Sequence, residues 1–467
     1  MSFIEFKDIS KNYGDCVSCR GISLGIQKNT VHAFVGENGA GKSTLMNILG
    51  GLTPASSGKM QIAGQNYQPA SALDAYSKKI AYIHQHFVLA KQLTAFENIL
   101  LSCSAHLKSY KKIPESEILN KTNVLLQKFN WTVQLDKQVH ELSVGEQQRI
   151  EILKALLIEP DMFIFDEPTA VLSPQESHDL LDFILKLKSE GKTILLISHK
   201  LNEIKKVADT ITVLRQGQLI LTKPCIDLSI DAIAETMIGR KPASKKVHTE
   251  SGSKNNFMLL PNSKIQVYKS EIFGIAGIEG NGQTALIENL INQFKTLKIN
   301  YGDITEDRLP LSVFTNLNLV DHVILKHKNK ISKRGFIHFA AAKKMTLEII
   351  NKWDVRPGNA SQKLSELSGG NQQKFIVGRE LIDSPKALIA AHPTRGVDLG
   401  AQELIHDSLR DYTKNNNTVF LISADLEEVI NVSDRYVIIY KNQFHGPFKR
   451  NDLTELQMGQ YMTGIHI

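Results

Sequence analysis

The chain has 467 residues, 42% hydrophobic and 22% charged, with a formal net charge of +7. This is a folded composition sized for two or three domains, and it excludes disorder. No run of 18 apolar residues could span a bilayer, and the N-terminus "MSFIEFKDIS" has no basic-then-apolar secretory pattern. The small positive excess permits an acidic partner without giving the basic patch of a nucleic-acid binder.

In chain order, "IEFKDISKNYG" opens an extended segment ending near Tyr13. Cys16 and Cys19 follow at C-x-x-C spacing. With only four cysteines and no second pair nearby, they read as half-buried strand residues in a reducing compartment, and no zinc is expected. "VHAFVG" is a short continuous apolar run, the pattern of a parallel strand covered on both faces. It leads into "GENGAGKS", Gly36 to Ser43, which fits G-x-x-x-x-G-K-[ST] and precedes a helix, "TLMNILGG".

That context points to phosphate binding. Gly36, Glu37, Asn38, Gly39, Ala40 and Gly41 can curl their N–H groups around an anion, and the helix presents its positive end to the same place. Lys42 would reach the β and γ phosphates of ATP, Ser43 would ligate Mg²⁺, and Thr44 continues the cradle. Further on, "VGEQQRIEILKALLIEP" has helical spacing and stops at Pro160. The strand "MFIFDE" then delivers Asp166 as a metal ligand and Glu167 as the group that polarises water. "ILLIS" is a further buried strand.

The second half repeats the first. Ser143 and Ser368, Asp166 and Ala391, His199 and Ala424, and Gly239 and Gly464 all differ by 225 positions. Nearer the glycine-rich loops the offset is 241, Gly36 to Gly277, so the second copy has lost 16 residues before its "ELSGGNQQKFIV". It also starts late. The expected layout is α/β, with domains at 1–240 and 257–467 joined by a Lys-, Ser- and Asn-rich linker at 241–256.

"LSVGEQQR" and "LSGGNQQK" resemble the signature of the ATP-binding cassette (ABC) family, and the resemblance covers nearly the whole chain. It implies two P-loop domains, each a RecA-like core with a helical subdomain. It assigns Tyr13 to adenine, Gln85 to the Mg²⁺ and γ-phosphate, and His199 to the γ-phosphate. Catalysis would fall to Lys42, Gln85, Glu167 and His199, and the metal to Ser43, Gln85 and Asp166. In such a family two cassettes pair head to tail, so Ser368, Gly369, Gly370 and Asn371 would complete the first site.

The second site would combine Gly277 to Gly282, Gln283 and Thr284 with Ser143, Val144, Gly145 and Glu146. Gln283 replaces the lysine there, and Ala391 and His392 replace the carboxylates. Ala424 replaces the histidine, Glu306-Asp307 stands loosely where Gln85 would be, and the adenine-stacking strand is absent. One hydrolytic site per chain is therefore expected, supported by the intact Pro393-Thr394 and Gly396-Val397-Asp398 of the second copy.

The tandem, asymmetric pattern resembles ATP-binding subunits of simple-sugar and nucleoside importers, especially those served by a lipoprotein-type nucleoside-binding protein. The resemblance implies two integral-membrane permeases, docked near Gln85 and "HFVLAKQLTAFEN", and a place on the cytoplasmic face of the cell membrane, peripheral. A sugar importer is the alternative. A ribosome-associated tandem cassette fits less well, because the linker is short and the second site is broken. No nucleic-acid partner is expected.

Overall fold

The computed structural model describes residues 2–464 apart from 15, 38, 86, 107–113, 170, 171, 173, 199, 240–254, 279, 280, 305–313, 315, 334, 396 and 451. Asn38, His199, Gly396, Glu306-Asp307 and positions 241–254 of the expected linker therefore lie outside the described residues. The chain divides into two compact units, Met1–Pro242 and Ala243–Ile467.

In the first unit, β1 (Ile4–Tyr13), β2 (Cys16–Ile26), β4 (Ser57–Ile62) and β5 (Gln65–Tyr67) form an antiparallel sheet in the order β2-β1-β4-β5. A six-stranded sheet is built from β3 (Val31–Val35), β6 (Ile80–Ile83), β7 (Met162–Asp166), β8 (Thr193–Ile197), β9 (Thr210–Arg215) and β10 (Gln218–Pro224). Its order is β10-β9-β3-β8-β7-β6, parallel except for the β10–β9 pair.

Every residue of β3, β7 and β8 is buried. Both faces of the sheet are covered, which is why these strands read as unbroken apolar runs rather than alternating ones. On one face Ile164, Ile197 and Leu214 pack with Leu45, Met46 and Ile48 of the helix Lys42–Leu49 and with Phe6 and Ile22 of the antiparallel sheet. On the other face Phe163 and Phe165 meet Leu180, Ile184 and Leu187 of the helix Pro174–Ser189. A separate cluster, including Ile99, Ile118, Leu142 and Ile150, holds the helices Ala95–His106, Glu115–Phe129 and Val144–Leu156 together.

The second unit repeats the large sheet. It contains β11 (Asn256–Leu259), β12 (Gln266–Tyr268), β13 (Ile272–Ala276), β14 (Tyr301–Ile304), β15 (Ser332–Lys333), β16 (Phe336–Ile337), β17 (Ala387–Ala391), β18 (Thr418–Ser423), β19 (Arg435–Tyr440) and β20 (Gln443–Lys449). The order β20-β19-β13-β18-β17-β14 matches the first sheet strand for strand. Even register is kept: Tyr82 lies opposite Ile164 in the first unit and Asp303 opposite Ile389 in the second.

Two sequence expectations need correction. Asn256 is not linker but the first residue of β11. The antiparallel layer is also not wholly missing, since β11 and β12 survive as a hairpin. It is short because the chain turns at Leu260-Pro261-Asn262, where β1 runs on for ten residues to Tyr13. Proline cannot donate to a ladder and ends the strand there.

Candidate functional site

The glycine-rich loop leaves the end of β3 between β9 and β8, the crevice where open α/β sheets bind ligands. Two of its glycines are required by close packing as well as by dihedral angle. Gly36 has φ +154°, and a Cβ there would stand 2.2 Å from the Leu214 carbonyl oxygen. Gly41, at φ +99°, would place one 2.4 Å from the Ser18 carbonyl oxygen. Strand β2 braces the loop from outside. Ser18 Oγ and Thr44 Oγ1 are 2.7 Å apart, and the Cys19 thiol donates to the Gly41 carbonyl at 3.7 Å.

Cys19 is thus fully buried, not half-buried as the sequence suggested. Burial pushes its thiol up to about 11, so it is a packing residue and not a reactive one. The described residues contain no group of three or more His, Cys, Asp or Glu side chains suited to a metal.

Lys42 is buried, and its Nζ donates to the carbonyls of Gly36 at 2.7 Å and Glu37 at 3.0 Å. An ammonium held inside its own loop by carbonyl dipoles is ready to exchange them for a stronger anion. Next to it, Ser43 Oγ donates to Asp166 Oδ1 at 3.2 Å, and the Tyr82 hydroxyl donates to Asp166 Oδ2 at 3.1 Å. Burial raises the Asp166 carboxyl above its ordinary range, and the two hydroxyl bonds pull it back.

Sequence reading missed Tyr82. It stands opposite Ile164 in the parallel β6–β7 pair, two residues short of Asp166. Two strand residues rise about 6.6 Å, which is the reach of a tyrosine side chain. The available signal was a tyrosine near the end of the strand preceding Gln85, but nothing in sequence showed that this strand neighbours β7.

The Gln85 amide donates to Glu167 Oε2 at 2.9 Å. Glu167 sits at φ +47°, a left-handed turn uncommon for this residue type, and its N–H is tied to the Ile197 carbonyl at 2.9 Å. That turn lifts its carboxylate off the strand end while Asp166 stays buried. Tyr13 ends β1 half-exposed, with Lys11 Nζ 5.0 Å from its ring centre. Of the sequence-selected residues, the structure gathers Lys42, Ser43, Asp166, Gln85 and Glu167 at one end of the sheet.

The equivalent place in the second unit has the same backbone and different chemistry. Gln283 is buried, and its Nε2 donates to the Gly277 carbonyl at 2.7 Å, the bond Lys42 makes to Gly36, now without a charge. Gly282 has φ +110° and caps the helix Gln283–Thr296 as Gly41 caps its own, with Thr284 one residue inside. Ala391 is buried and ends β17. His392 keeps the left-handed turn, at φ +46°, with its N–H bonded to the Ile422 carbonyl at 2.8 Å. Beyond the turn, Thr394 Oγ1 donates to Glu428 at 2.6 Å, just as Thr169 donates to Glu203 at 2.6 Å. Ala424 follows β18 and offers no side-chain donor.

The two signature helices begin differently. Ser143 caps Val144–Leu156, and the Glu146 carboxylate folds back to accept from the Ser143 N–H at 3.0 Å and its hydroxyl at 2.9 Å. The Glu176 carboxylate lies against Gly145, with Oε1 2.1 Å from where a Cβ would be, so a larger residue there would have to displace that side chain. Ser368 makes no side-chain cap to Gly369–Leu381. It accepts instead from the Asn371 amide at 2.9 Å, and Asn371 Oδ1 accepts from the Arg356 N–H at 3.0 Å. The Asp398 carboxylate lies beside Gly370, 3.4 Å from where a Cβ would be, a distance a small side chain would also allow.

Residues 19–170 match the family described as ABC transporter. The nucleoside import ATP-binding protein NupA of Lactococcus lactis subsp. cremoris is 36% identical, over 99% of this chain and 98% of that protein. The guanosine import ATP-binding protein NupO of Bacillus subtilis is 34% identical, over 99% and 97%. The ribose import ATP-binding protein RbsA of Streptococcus agalactiae is 31% identical, over 99% of each.

The raised Asp166 carboxyl has a stability consequence. The folded protein holds that proton more tightly than the unfolded chain, so its contribution is full below the ordinary carboxylate range and is lost as pH rises through the raised value. Asp166→Asn should therefore stabilise the ligand-free protein at neutral pH, and the gain should vanish below about pH 4. Denaturant unfolding at both pH values checks this, and a variant no more stable at neutral pH contradicts it.

Proposed function

The chain belongs to the ABC transporter family as an ATPase of its importer ATP-binding subunits, and from that premise we propose that it powers nucleoside uptake from a single hydrolytic site. The observation that carries this reading is the convergence of Lys42, Ser43, Asp166, Gln85 and Glu167, without an equivalent set among the described residues of the second unit. When ATP enters, Lys42 would trade the carbonyls of Gly36 and Glu37 for phosphate oxygens, and the loop N–H groups would take the rest of the charge. Tyr13 would cover the adenine, and His199 would contact the γ-phosphate.

Mg²⁺ suits the donor set. A buried carboxylate satisfied by two hydroxyls presents hard oxygen ligands, the kind this ion prefers. Ser43 and Asp166 would hold it, with Gln85 nearby, and it would neutralise phosphate charge. Tyr82 would fix the Asp166 carboxylate from behind, a positioning role of the kind that outer partners of metal ligands play. Glu167, turned outward by its left-handed backbone and steadied by the Gln85 amide, would take the proton from the attacking water.

In the second unit Gln283 can hold its loop together but cannot supply a cation, Ala391 supplies no metal ligand, and His392 puts an imidazole where the carboxylate of Glu167 stands in the first. Its role in this reading is regulatory or structural. The partners are two integral-membrane permeases and an extracytoplasmic solute-binding lipoprotein, with the ATPase peripheral on the cytoplasmic face. Among the described residues no helix is long and apolar enough to cross a membrane. A nucleoside is favoured over a sugar because NupA and NupO carry nucleoside names and the highest of the identities above, while the 31% match to RbsA makes ribose the competing solute.

Three measurements test this reading. Glu167→Gln should retain ATP binding and lower turnover by about 10²–10⁴-fold; near-normal hydrolysis would remove Glu167 from its role. Tyr82→Phe should raise the Mg²⁺ concentration for half-maximal activity by about 10–100-fold, with a smaller effect on saturated turnover. Cells that express the chain with its permeases should take up labelled nucleosides and lose that uptake with Glu167→Gln. Loss of ribose uptake instead would assign the sugar.

A further inference from the structure

We propose that the tip of the helical hairpin at 319–352 in the second unit is a contact for anionic membrane lipid. The helices Leu319–Ile331 and Phe339–Lys352 are joined through the two-stranded turn β15–β16. Their inner faces are committed to the core: Leu319, Val323, Ile331, Ala342, Ile349 and Ile350 are buried. The outer end is the reverse of what burial favours. Phe336 is 77% exposed, Phe339 64% and Ile337 41%. Phe339, Lys343 and Leu347 recur at i, i+4 and i+8, so one stripe of the second helix carries both apolar and cationic groups to solvent.

Cationic residues outnumber acidic ones around this tip, although Glu348 is exposed on the second helix just beyond it. Between positions 325 and 347 the sequence holds seven Lys or Arg and no Asp or Glu. Lys326 and Lys330 are tied down by Glu380 and Asp383. Lys328, Lys343 and Lys344 are exposed, and none makes an ion pair among the described residues. The second helix also starts without an acidic residue in its first turn or a side-chain cap, so its positive end adds to the same field.

Shape separates lipid from a protein partner. Gly335 turns the tip at φ +85°, and the largely exposed Phe336 and Phe339 beside it stand out from the surface rather than line a cleft. Exposed Phe and Ile with exposed lysines on the same hairpin match the boundary between headgroups and acyl chains, where the rings insert and the ammonium groups meet phosphates. A mainly electrostatic contact of this kind weakens with salt.

The test is flotation of the full-length protein with phosphatidylcholine vesicles, with and without phosphatidylglycerol. The wild type should float with the anionic vesicles, about tenfold less with neutral ones, and less at high salt. Phe336→Ser with Phe339→Ser, and separately Lys343→Glu with Lys344→Glu, should each reduce flotation about tenfold while ATP turnover stays unchanged, which shows that the variants fold. Wild-type protein that fails to float, or variants that float as well as wild type, overturn the proposal. Loss of permease co-purification in the variants without any wild-type flotation would also overturn it, and would make the tip a protein contact. Because turnover is read separately, failure here leaves the ATPase reading intact.

Discussion

The first unit is organised around one buried carboxylate. Asp166 ends a strand with covered faces, where an ionised group would be unstable without partners. Its two oxygens are met by hydroxyls from two other elements: Ser43 at the start of the helix after the glycine loop, and Tyr82 on the neighbouring strand. Each partner fixes a piece of the site. Ser43 sets the loop against the end of β7, and Tyr82 sets β6, from which Gln85 continues toward Glu167. The parallel sheet makes this possible, because it brings the C-terminal ends of β3, β6 and β7 to the same edge.

The second unit shows what remains when that carboxylate is removed. Ala391 replaces Asp166 and needs no partners, and the Tyr82 position becomes Asp303. Burial and the nearby Glu380 push the Asp303 carboxyl up to about 6. Its N–H donates to Glu380, on the helix Gly369–Leu381, so this strand is tied to the signature helix. The left-handed turn persists nevertheless, from φ +47° at Glu167 to φ +46° at His392, with the same N–H bond to the next strand. Such a conformation survives only where the surroundings over-determine it. The turn therefore belongs to the architecture of strand, turn and helix, and the proposed catalysis would use a geometry that the fold supplies.

Gln283 makes the same point for the loop. A lysine in this position does two jobs: it supplies a cation to phosphate and satisfies the loop carbonyls. Glutamine retains the second through its 2.7 Å bond to Gly277 and drops the first. The substitution is thus not random decay. A residue unable to donate would leave a buried carbonyl unpaired, at about 1–3 kcal/mol.

The sequence by itself determined the repeat, through constant offsets of 225 and 241, and the asymmetry, because side-chain chemistry is written directly in residue identity. It also determined β3, β7 and β8, since full burial leaves a continuous apolar run, and the glycine loop, since close backbone approach admits only glycine at Gly36 and Gly41. Tertiary structure alone decided which polar groups meet. The Tyr82 bond to Asp166 spans 84 positions and depends on strand register, the Gln85 bond to Glu167 spans 82, and the burial of Cys19 depends on the loop folding back over β2. It also decided that the surviving hairpin is too short to extend as β1 does, and that Phe336 and Phe339 face solvent rather than core. Local pattern records how a residue relates to its own strand or helix, but a hydrogen bond between distant elements is fixed only when the sheet orders and aligns them.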